Sequence, residues 1–149
     1  MRDIVLVDID GTLCDCSHRV HHVQKQPKDW SSFYRECDKD KPFEAVFEII
    51  KTLSDKFRIY FCTGRSNTQE GHDIRGLTQA WLLEHGIEYD KILFRPDGDH
   101  RHDTVVKKEL VEKEGIKDRI LFVLEDRNSV VKMWREFGLT CFQVAEGDF

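Results

Sequence analysis

Short apolar runs alternate along the chain with segments whose apolar positions recur every three or four residues. The first run, Ile4-Val5-Leu6-Val7, has four branched aliphatics in succession. Such a run suits a central strand covered on both faces, as in a parallel sheet. Phe57-Arg58-Ile59-Tyr60-Phe61-Cys62, Lys91-Ile92-Leu93-Phe94, Ile120-Leu121-Phe122-Val123-Leu124 and Cys141-Phe142-Gln143-Val144 read as four further strands. Between them the period changes. Phe43, Val46, Phe47, Ile50 and Leu53 predict a helix opened by Pro42; Leu77, Trp81 and Leu82 predict one closed by Gly86. Val105, Val106, Leu110 and Val111 fall on a helix ending at Gly115, and Val130, Val131, Met133, Trp134 and Phe137 on one ending at Gly138. Strand and helix in alternation predict an α/β fold with a doubly wound, mostly parallel sheet.

One segment breaks the alternation. Residues 14–42, from Cys14 to Pro42, are polar and irregular and read as a small cap inserted after the first strand. Within it Asp29 is placed to cap a short helix that buries Trp30, Phe33 and Tyr34 on one side.

In a doubly wound sheet the ligand site lies beyond the carboxyl ends of the strands. The polar residues that follow the apolar runs are Asp8 and Asp10, then Thr63-Gly64-Arg65, then Glu125-Asp126, while Lys107 on a helix can point into the same crevice. If strand geometry persists to Asp10, Asp8 and Asp10 share a face and repel unless a cation or proton lies between them. Gly11 permits a tight turn that leaves the Thr12 amide and its neighbours free to approach a phosphate or another anion.

At 149 residues one domain with one substantial core is expected, spanning residues 1–149. No stretch has the length of a membrane span or the pattern of a signal peptide, which points to a cytoplasmic protein with no membrane partner. A net charge of −5 argues against non-specific coating of nucleic acid but leaves local basic patches free to bind phosphate. His100, Arg101 and His102, with Arg95 and Lys108, read as one such patch. Cys62 and Cys141 fall in strand-like runs and read as buried thiols. Cys14, Cys16, His18, His21 and His22 raise the question of zinc. Their spacing matches no structural zinc pattern, so they read chiefly as residues of the cap surface. Trp81 and Trp134 read as core, whereas Trp30 and Tyr34 are candidates for stacking on a base.

Acids with a hydroxyl and one or two cations, and with neither a cofactor fingerprint nor a serine–histidine pair, suit phosphoryl transfer. Asp8 could attack phosphorus to form an aspartyl-phosphate, and Asp10 could protonate the leaving oxygen and later activate water. Carboxylate oxygens suit Mg²⁺, with Asp8, Asp126 and the carbonyl of Asp10 as ligands. Taken alone, Asp126 could equally cap the helix that begins near Asn128.

Asp8-Ile9-Asp10-Gly11-Thr12, Thr63-Gly64-Arg65, Lys107 and Glu125-Asp126 resemble, in order, the four motifs of the haloacid-dehalogenase superfamily of aspartate-nucleophile phosphatases. Gly98-Asp99-His100-Arg101-His102-Asp103-Thr104-Val105-Val106-Lys107, Val131-Lys132-Met133-Trp134-Arg135 and the terminal Gln143-Val144-Ala145-Glu146-Gly147-Asp148-Phe149 resemble the 3′-phosphatase domain of phage-type polynucleotide kinase-phosphatases. The resemblance implies a Rossmann-like core with a small cap and Mg²⁺-dependent removal of 3′-phosphates from DNA or RNA ends. It assigns Asp8 as nucleophile, Asp10 as general acid and base, Thr63 and Lys107 as phosphate contacts, Asp126 as a metal ligand, and Arg65 and Arg101 as substrate contacts beside Gly64. Glu125 stands where that family commonly has Asp, so it is expected behind the ligands rather than among them. No Gly-x-x-x-x-Gly-Lys-Ser/Thr segment occurs, so kinase activity is not expected of this chain, and a separate kinase or ligase partner is left open. Met1 favours a free-standing protein over an excised domain. The competing readings are a nucleotidase or other small-molecule phosphatase, and a signalling or non-catalytic domain that gathers similar acids. Receiver domains place the phosphorylated Asp on a later strand, whereas here the candidate is on the first.

Overall fold

The computed structural model describes residues 1–149. Its sheet has five strands, β1 (Ile4–Val7), β4 (Arg58–Ser66), β7 (Lys91–Arg95), β8 (Ile120–Glu125) and β9 (Cys141–Gln143). They lie in the order β7-β4-β1-β8-β9, and every pair is parallel. The chain builds outward from β1 through β4 to β7, then crosses to the other side of β1 for β8 and β9. That reversal puts the switch point beside the end of β1.

Alternate residues of β1 feed opposite cores, which is why its sequence carries no polar alternation. Val5 and Val7 join Val46, Phe47 and Ile50 of α3 (Glu44–Ser54) and Trp81 and Leu82 of α4 (Ile74–Glu84). Ile4 and Leu6 join Val111 of α5 (Asp103–Glu114) and Val130, Val131 and Trp134 of α6 (Asn128–Glu136). All four β1 side chains are wholly buried, each contributing about 1.5–3 kcal/mol by transfer from water. No helix is long and apolar enough to cross a membrane.

Residues 14–42 are closed at their root by a two-residue antiparallel ribbon, β2 (Cys14–Asp15) against β3 (Lys41–Pro42). Because Pro42 belongs to that ribbon, the following helix starts at Glu44 rather than at the proline. Between the two ribbon strands lie α1 (His21–Gln24) and α2 (Trp30–Arg35), flanked by 3₁₀ turns at Ser17–Arg19 and Cys37–Lys39. Asp29 caps α2, accepting from the Ser32 amide at 2.9 Å. Of the three aromatics expected to be buried there, Phe33 is enclosed but Trp30 remains 43% exposed.

A second small hairpin, β5 (Thr68–Gln69) with β6 (His72–Asp73), follows β4 and has no counterpart in the hydrophobic pattern. Its turn, Glu70-Gly71, has positive φ at both positions, the requirement of the tight turns that join two-stranded ribbons.

Candidate active site

Parallel pairing of β1 with β8 sets Val7 opposite Leu124, and the Asp8 amide donates to the Leu124 carbonyl at 3.0 Å. The residues that follow in each strand, Asp8, Glu125 and Asp126, therefore emerge together. Their carboxylate oxygens lie within 4.8 Å of one another, and all three residues are buried. Lys107 of α5 reaches in from beneath, its Nζ 2.7 Å from Asp8 Oδ1 and 2.8 Å from Glu125 Oε2. Glu125 also accepts from the Asp126 amide at 3.2 Å. Both of its oxygens are thus engaged by the protein. The Thr12 hydroxyl sits between Asp8 Oδ2, 3.0 Å away, and Asp126 Oδ1, 3.1 Å away, and donates to one of them at a time. Gly11 makes this approach possible. Its φ is +81°, and a Cβ there would overlap the Asp126 carboxylate.

Three buried acids face one ammonium group, and the imbalance is visible in their proton affinities. Burial, reinforced by Glu125 and opposed by Lys107, pushes Asp8 up to about 7. Burial and the neighbouring Asp8 push Asp126 up to about 7 as well. Burial also raises Glu125, against the pull of Lys107. For Lys107 burial works to lower the pKa, but Asp8 and Glu125 outweigh it and the ammonium is held well above its usual range. A cluster of hard oxygen donors that resists shedding its protons in the absence of a cation fits a small divalent ion.

Asp10 goes elsewhere. β1 ends at Val7 and the chain turns, so Asp8 and Asp10 do not share partners, and Asp10 raises Asp8 less than burial or Glu125 does. The Asp10 carboxylate receives Arg65 Nη2 at 2.7 Å and Nε at 3.1 Å, and Arg19 Nη2 makes a short ion pair with the same Oδ1. Burial would raise its pKa, but Arg65 and Arg19 outweigh burial and hold it well below the carboxylate range. Arg19 belongs to the insertion, yet it is fully buried. Asp40 fixes its far side, accepting Arg19 Nε at 2.8 Å and Nη2 at 2.5 Å, while His18 Nε2 lies 2.7 Å from Asp40 Oδ1. Asp10, Cys14 and Asp40 also approach one another closely, but the two guanidiniums already compensate their carboxylates, so the donor set does not call for a metal.

Several expected placements change. The Thr12 amide donates to the Ile9 carbonyl and the Gly11 amide to that of Cys14, so neither faces an anion. Between Asp8 and Cys14 the amides with no partner inside the chain are those of Ile9 and Asp10, just before Gly11. β4 runs on through Thr63, Gly64 and Arg65 to Ser66, and Arg65 is buried against Asp10 and the Thr78 hydroxyl. Thr63 is wholly buried and its hydroxyl accepts from the Arg65 amide. Asp126 does not cap α6: the residue at that position is Arg127, with no capping side-chain bond, and the acid points at Thr12 instead.

Arg101 is not drawn in. Its guanidinium pairs with Asp99 at 2.8 Å and Glu109 at 2.7 Å on the surface. The basic patch around it disperses, because Arg95 turns inward to the Gly64 and Asp99 carbonyls and to Asp103, and Lys108 lies over the Phe137 ring. The cysteines and histidines of the insertion do not gather as one donor set: two of them meet at Asp40 and a third faces Glu36. Cys14 Sγ donates to Asp40, His18 pairs with Asp40, and His22 pairs with Glu36.

Sequence reasoning missed Arg19, Asp40 and Asp103. Asp103 carried a signal, since it precedes Lys107 by one helical turn and so shares its face. It accepts from Arg127 at 3.3 Å and lies under Gly64, where a Cβ would meet its carboxylate at 2.7 Å. Arg19 and Asp40 lie in irregular segments whose periodicity gives no orientation.

A family model described as the polynucleotide kinase PNKP phosphatase domain matches residues 2–149. Two solved Pnkp1/Rnl/Hen1 complexes, one described as an RNA repair complex, contain a chain 33% identical to this one. The TM-scores are 0.79 and 0.80 over 99% and 100% of this chain. The matched regions make up 44% and 48% of those chains, so this chain spans less than half their length. A haloacid dehalogenase-like hydrolase from Streptococcus pneumoniae is 14% identical with a TM-score of 0.67, over 95% of this chain and 83% of its own. A haloacid dehalogenase family enzyme from Bacteroides thetaiotaomicron, solved with magnesium and inorganic phosphate, is 11% identical with a TM-score of 0.55, over 100% of this chain and 97% of its own. At such identities the likeness speaks for the fold alone. The 33% identity and the end-to-end family match reach further: this chain, with its acids gathered at the ends of β1 and β8, belongs to the phosphatase-domain family of polynucleotide kinase-phosphatases, built on the haloacid-dehalogenase fold.

Proposed function

We propose that the protein is a Mg²⁺-dependent phosphomonoesterase that removes 3′-phosphates from nucleic-acid ends through an aspartyl-phosphate on Asp8. The observation that carries this reading is the division of labour between the two acids. Asp8 is buried, paired with Lys107 and set beside Asp126. Asp10, two residues on, is separately held by two arginines and has a side chain 21% exposed. Asp8 and Asp126 would hold the ion, with Glu125 positioned behind them by Lys107 and the Asp126 amide. When bound, Mg²⁺ supplies the positive charge that keeps both carboxylates ionised and neutralises the equatorial oxygens of the phosphoryl group.

In this reading an Asp8 oxygen attacks phosphorus in line while the bond from phosphorus to the 3′-oxygen breaks. The free Ile9 and Asp10 amides and Lys107 contact the phosphoryl oxygens, with Thr63 and Gly64 forming the opposite wall. Arg65 acts through Asp10 rather than on the substrate. In the free protein Asp10 is ionised, and an arriving phosphate dianion opposes the two arginines and raises its proton affinity. Asp10 thereby takes up a proton from solvent as the substrate binds and donates it to the leaving 3′-oxygen. In the second step it takes a proton from the water that attacks the acyl-phosphate, so that inorganic phosphate leaves and the Asp8 carboxylate is restored.

The test is phosphate release with Mg²⁺ from a 3′-phosphorylated oligonucleotide, its 5′-phosphorylated counterpart, and nucleoside 3′- and 5′-monophosphates, with Asp8→Asn as blank. A strong preference for the 3′-phosphorylated oligonucleotide supports the proposal. Preference for mononucleotides would make the protein a nucleotidase, and no release from any substrate would remove the catalytic reading.

A further inference from the structure

The three aromatics of α2 have different fates. Phe33 is buried, with the Arg19 guanidinium 4.3 Å from its ring centroid. Tyr34 is partly buried and its hydroxyl donates to the Gly64 carbonyl at 3.3 Å. Trp30 is 43% exposed, although the other two tryptophans, Trp81 and Trp134, are 3% and 1% exposed. Its ring lies nearly parallel to Tyr34, 6.0 Å away at 23°, and edge-on to Phe33, 5.7 Å away at 90°. Two neighbouring rings and the Asp29 cap therefore fix the indole, which still presents surface to solvent. Lys28 Nζ is 5.6 Å from the same ring.

The exposed ring is fastened at both ends to the candidate site. Through Tyr34 it is tied to Gly64, next to Thr63 on β4. Through Phe33 it is tied to Arg19, which pairs with Asp10. We infer that Trp30 is the stacking platform for a nucleobase of the 3′-terminal dinucleotide, with Lys28 beside it for the intervening phosphodiester. An indole held rigidly pays little ordering cost when a base settles on it, and any base offers a π face, so this contact discriminates polynucleotide from small phosphate without reading sequence. It also requires the terminal bases to be unpaired, which favours a single-stranded or frayed end. The inference rests on the proposed 3′-phosphatase activity and adds to it the part of the substrate that is gripped.

The test compares kcat/KM for two 3′-phosphorylated single-stranded oligonucleotides, one normal and one abasic at its last two positions, in the natural protein, Trp30→Ala and Trp30→Phe. The ratio of normal to abasic is expected to fall about tenfold in Trp30→Ala, inside the range of one stacked base, and to be largely restored in Trp30→Phe. An unchanged ratio in Trp30→Ala overturns the inference and leaves the phosphatase reading standing. A second measurement needs no turnover: an oligonucleotide ending in a 3′-hydroxyl should quench tryptophan fluorescence in the natural protein and not in Trp30→Phe. Quenching in a protein that releases no phosphate would uphold the platform and sink the phosphatase reading. Equal quenching in both proteins would count against the platform, as would affinity for a protein in place of the oligonucleotide.

Discussion

Replacing Asp40 by Ala removes a carboxylate that reacts with nothing and should still be among the most damaging substitutions in the chain. Asp40 lies at the end of the insertion, with a side chain fully buried, and takes Arg19 Nε at 2.8 Å, Arg19 Nη2 at 2.5 Å and His18 Nε2 at 2.7 Å. Cys14 Sγ donates at 3.1 Å to Asp40 Oδ2, the oxygen that also takes Arg19 Nη2. Without it, two guanidiniums, Arg19 and Arg65, share the single carboxylate of Asp10, and Arg19 keeps beyond that the Phe33 carbonyl at 3.1 Å and the face of the Phe33 ring. Breaking a buried ion pair from one side costs about 3–5 kcal/mol, because the remaining charge stays desolvated. For a domain of this size that lowers Tm by about 8–16 °C. Chemical denaturation of the natural protein, Asp40→Ala and Asp40→Asn measures it, and Asn should recover part of the loss by still accepting one hydrogen bond. Because Arg19 also orients Asp10, the surviving folded Asp40→Ala protein should hydrolyse an alkyl phosphate more slowly relative to p-nitrophenyl phosphate, whose leaving group needs no proton. A loss below about 1 kcal/mol, the cost of an exposed pair, would refute the claim that Asp40 balances the arginines.

Asp8→Asn should abolish phosphate release and leave Tm at pH 8 unchanged or higher, since a buried carboxylate whose pKa is pushed up to about 7 is ionised there at a cost; a large fall in Tm would contradict this. Asp8 and Asp126 both titrate near 7, above their ordinary values, so the stability of the metal-free protein that comes from their protonation is complete below the ordinary carboxylate range and is lost as pH rises through about 7. Mg²⁺ must displace those protons, and the Tm gain on adding it should therefore grow between pH 5 and pH 8, whereas an equal gain at both ends would mean that the ion binds elsewhere. Gly11→Ala forces a side chain into the left-handed region and against Asp126, so about 2 kcal/mol of stability and nearly all activity should be lost, as thermal melts and phosphate release would show. Arg101→Ala, by contrast, removes only exposed pairs with Asp99 and Glu109, and oligonucleotide hydrolysis should change less than twofold; a selective loss would restore Arg101 as a substrate contact.

The strands and the helices packed on them were legible because each buries a face, and burial imposes a period. The strand-end acids were legible for the same reason, since a run as apolar as Ile4 to Val7 leaves little room for Asp8 except at a rim. The direction in which each acid points was not legible. Asp8 and Asp10 share a face only if the strand continues, and it stops at Val7 because the Leu13 amide turns back to the Ile9 carbonyl. The same limit hid Arg19 and Asp40, whose burial depends on a two-residue ribbon that has no periodic signature. Arg101 shows a limit of another kind. The sequence places a basic residue in a promising neighbourhood but carries no sign of its surface partners, Asp99 and Glu109, two and eight residues away.

Arg19 has a mechanical consequence. It sits on the insertion, where Asp40 holds one side of its guanidinium, and Asp10 ties it to the body of the domain. Swinging the insertion outward would draw a buried guanidinium, with Asp40 travelling beside it, away from the Asp10 carboxylate, so the segment behaves as a welded rim rather than a hinged cover. An entrance of fixed width needs no closing step before chemistry and no opening step after it. A long strand could stay docked at one end while the small product left, and the turnover rate would then be indifferent to the length of chain trailing outside.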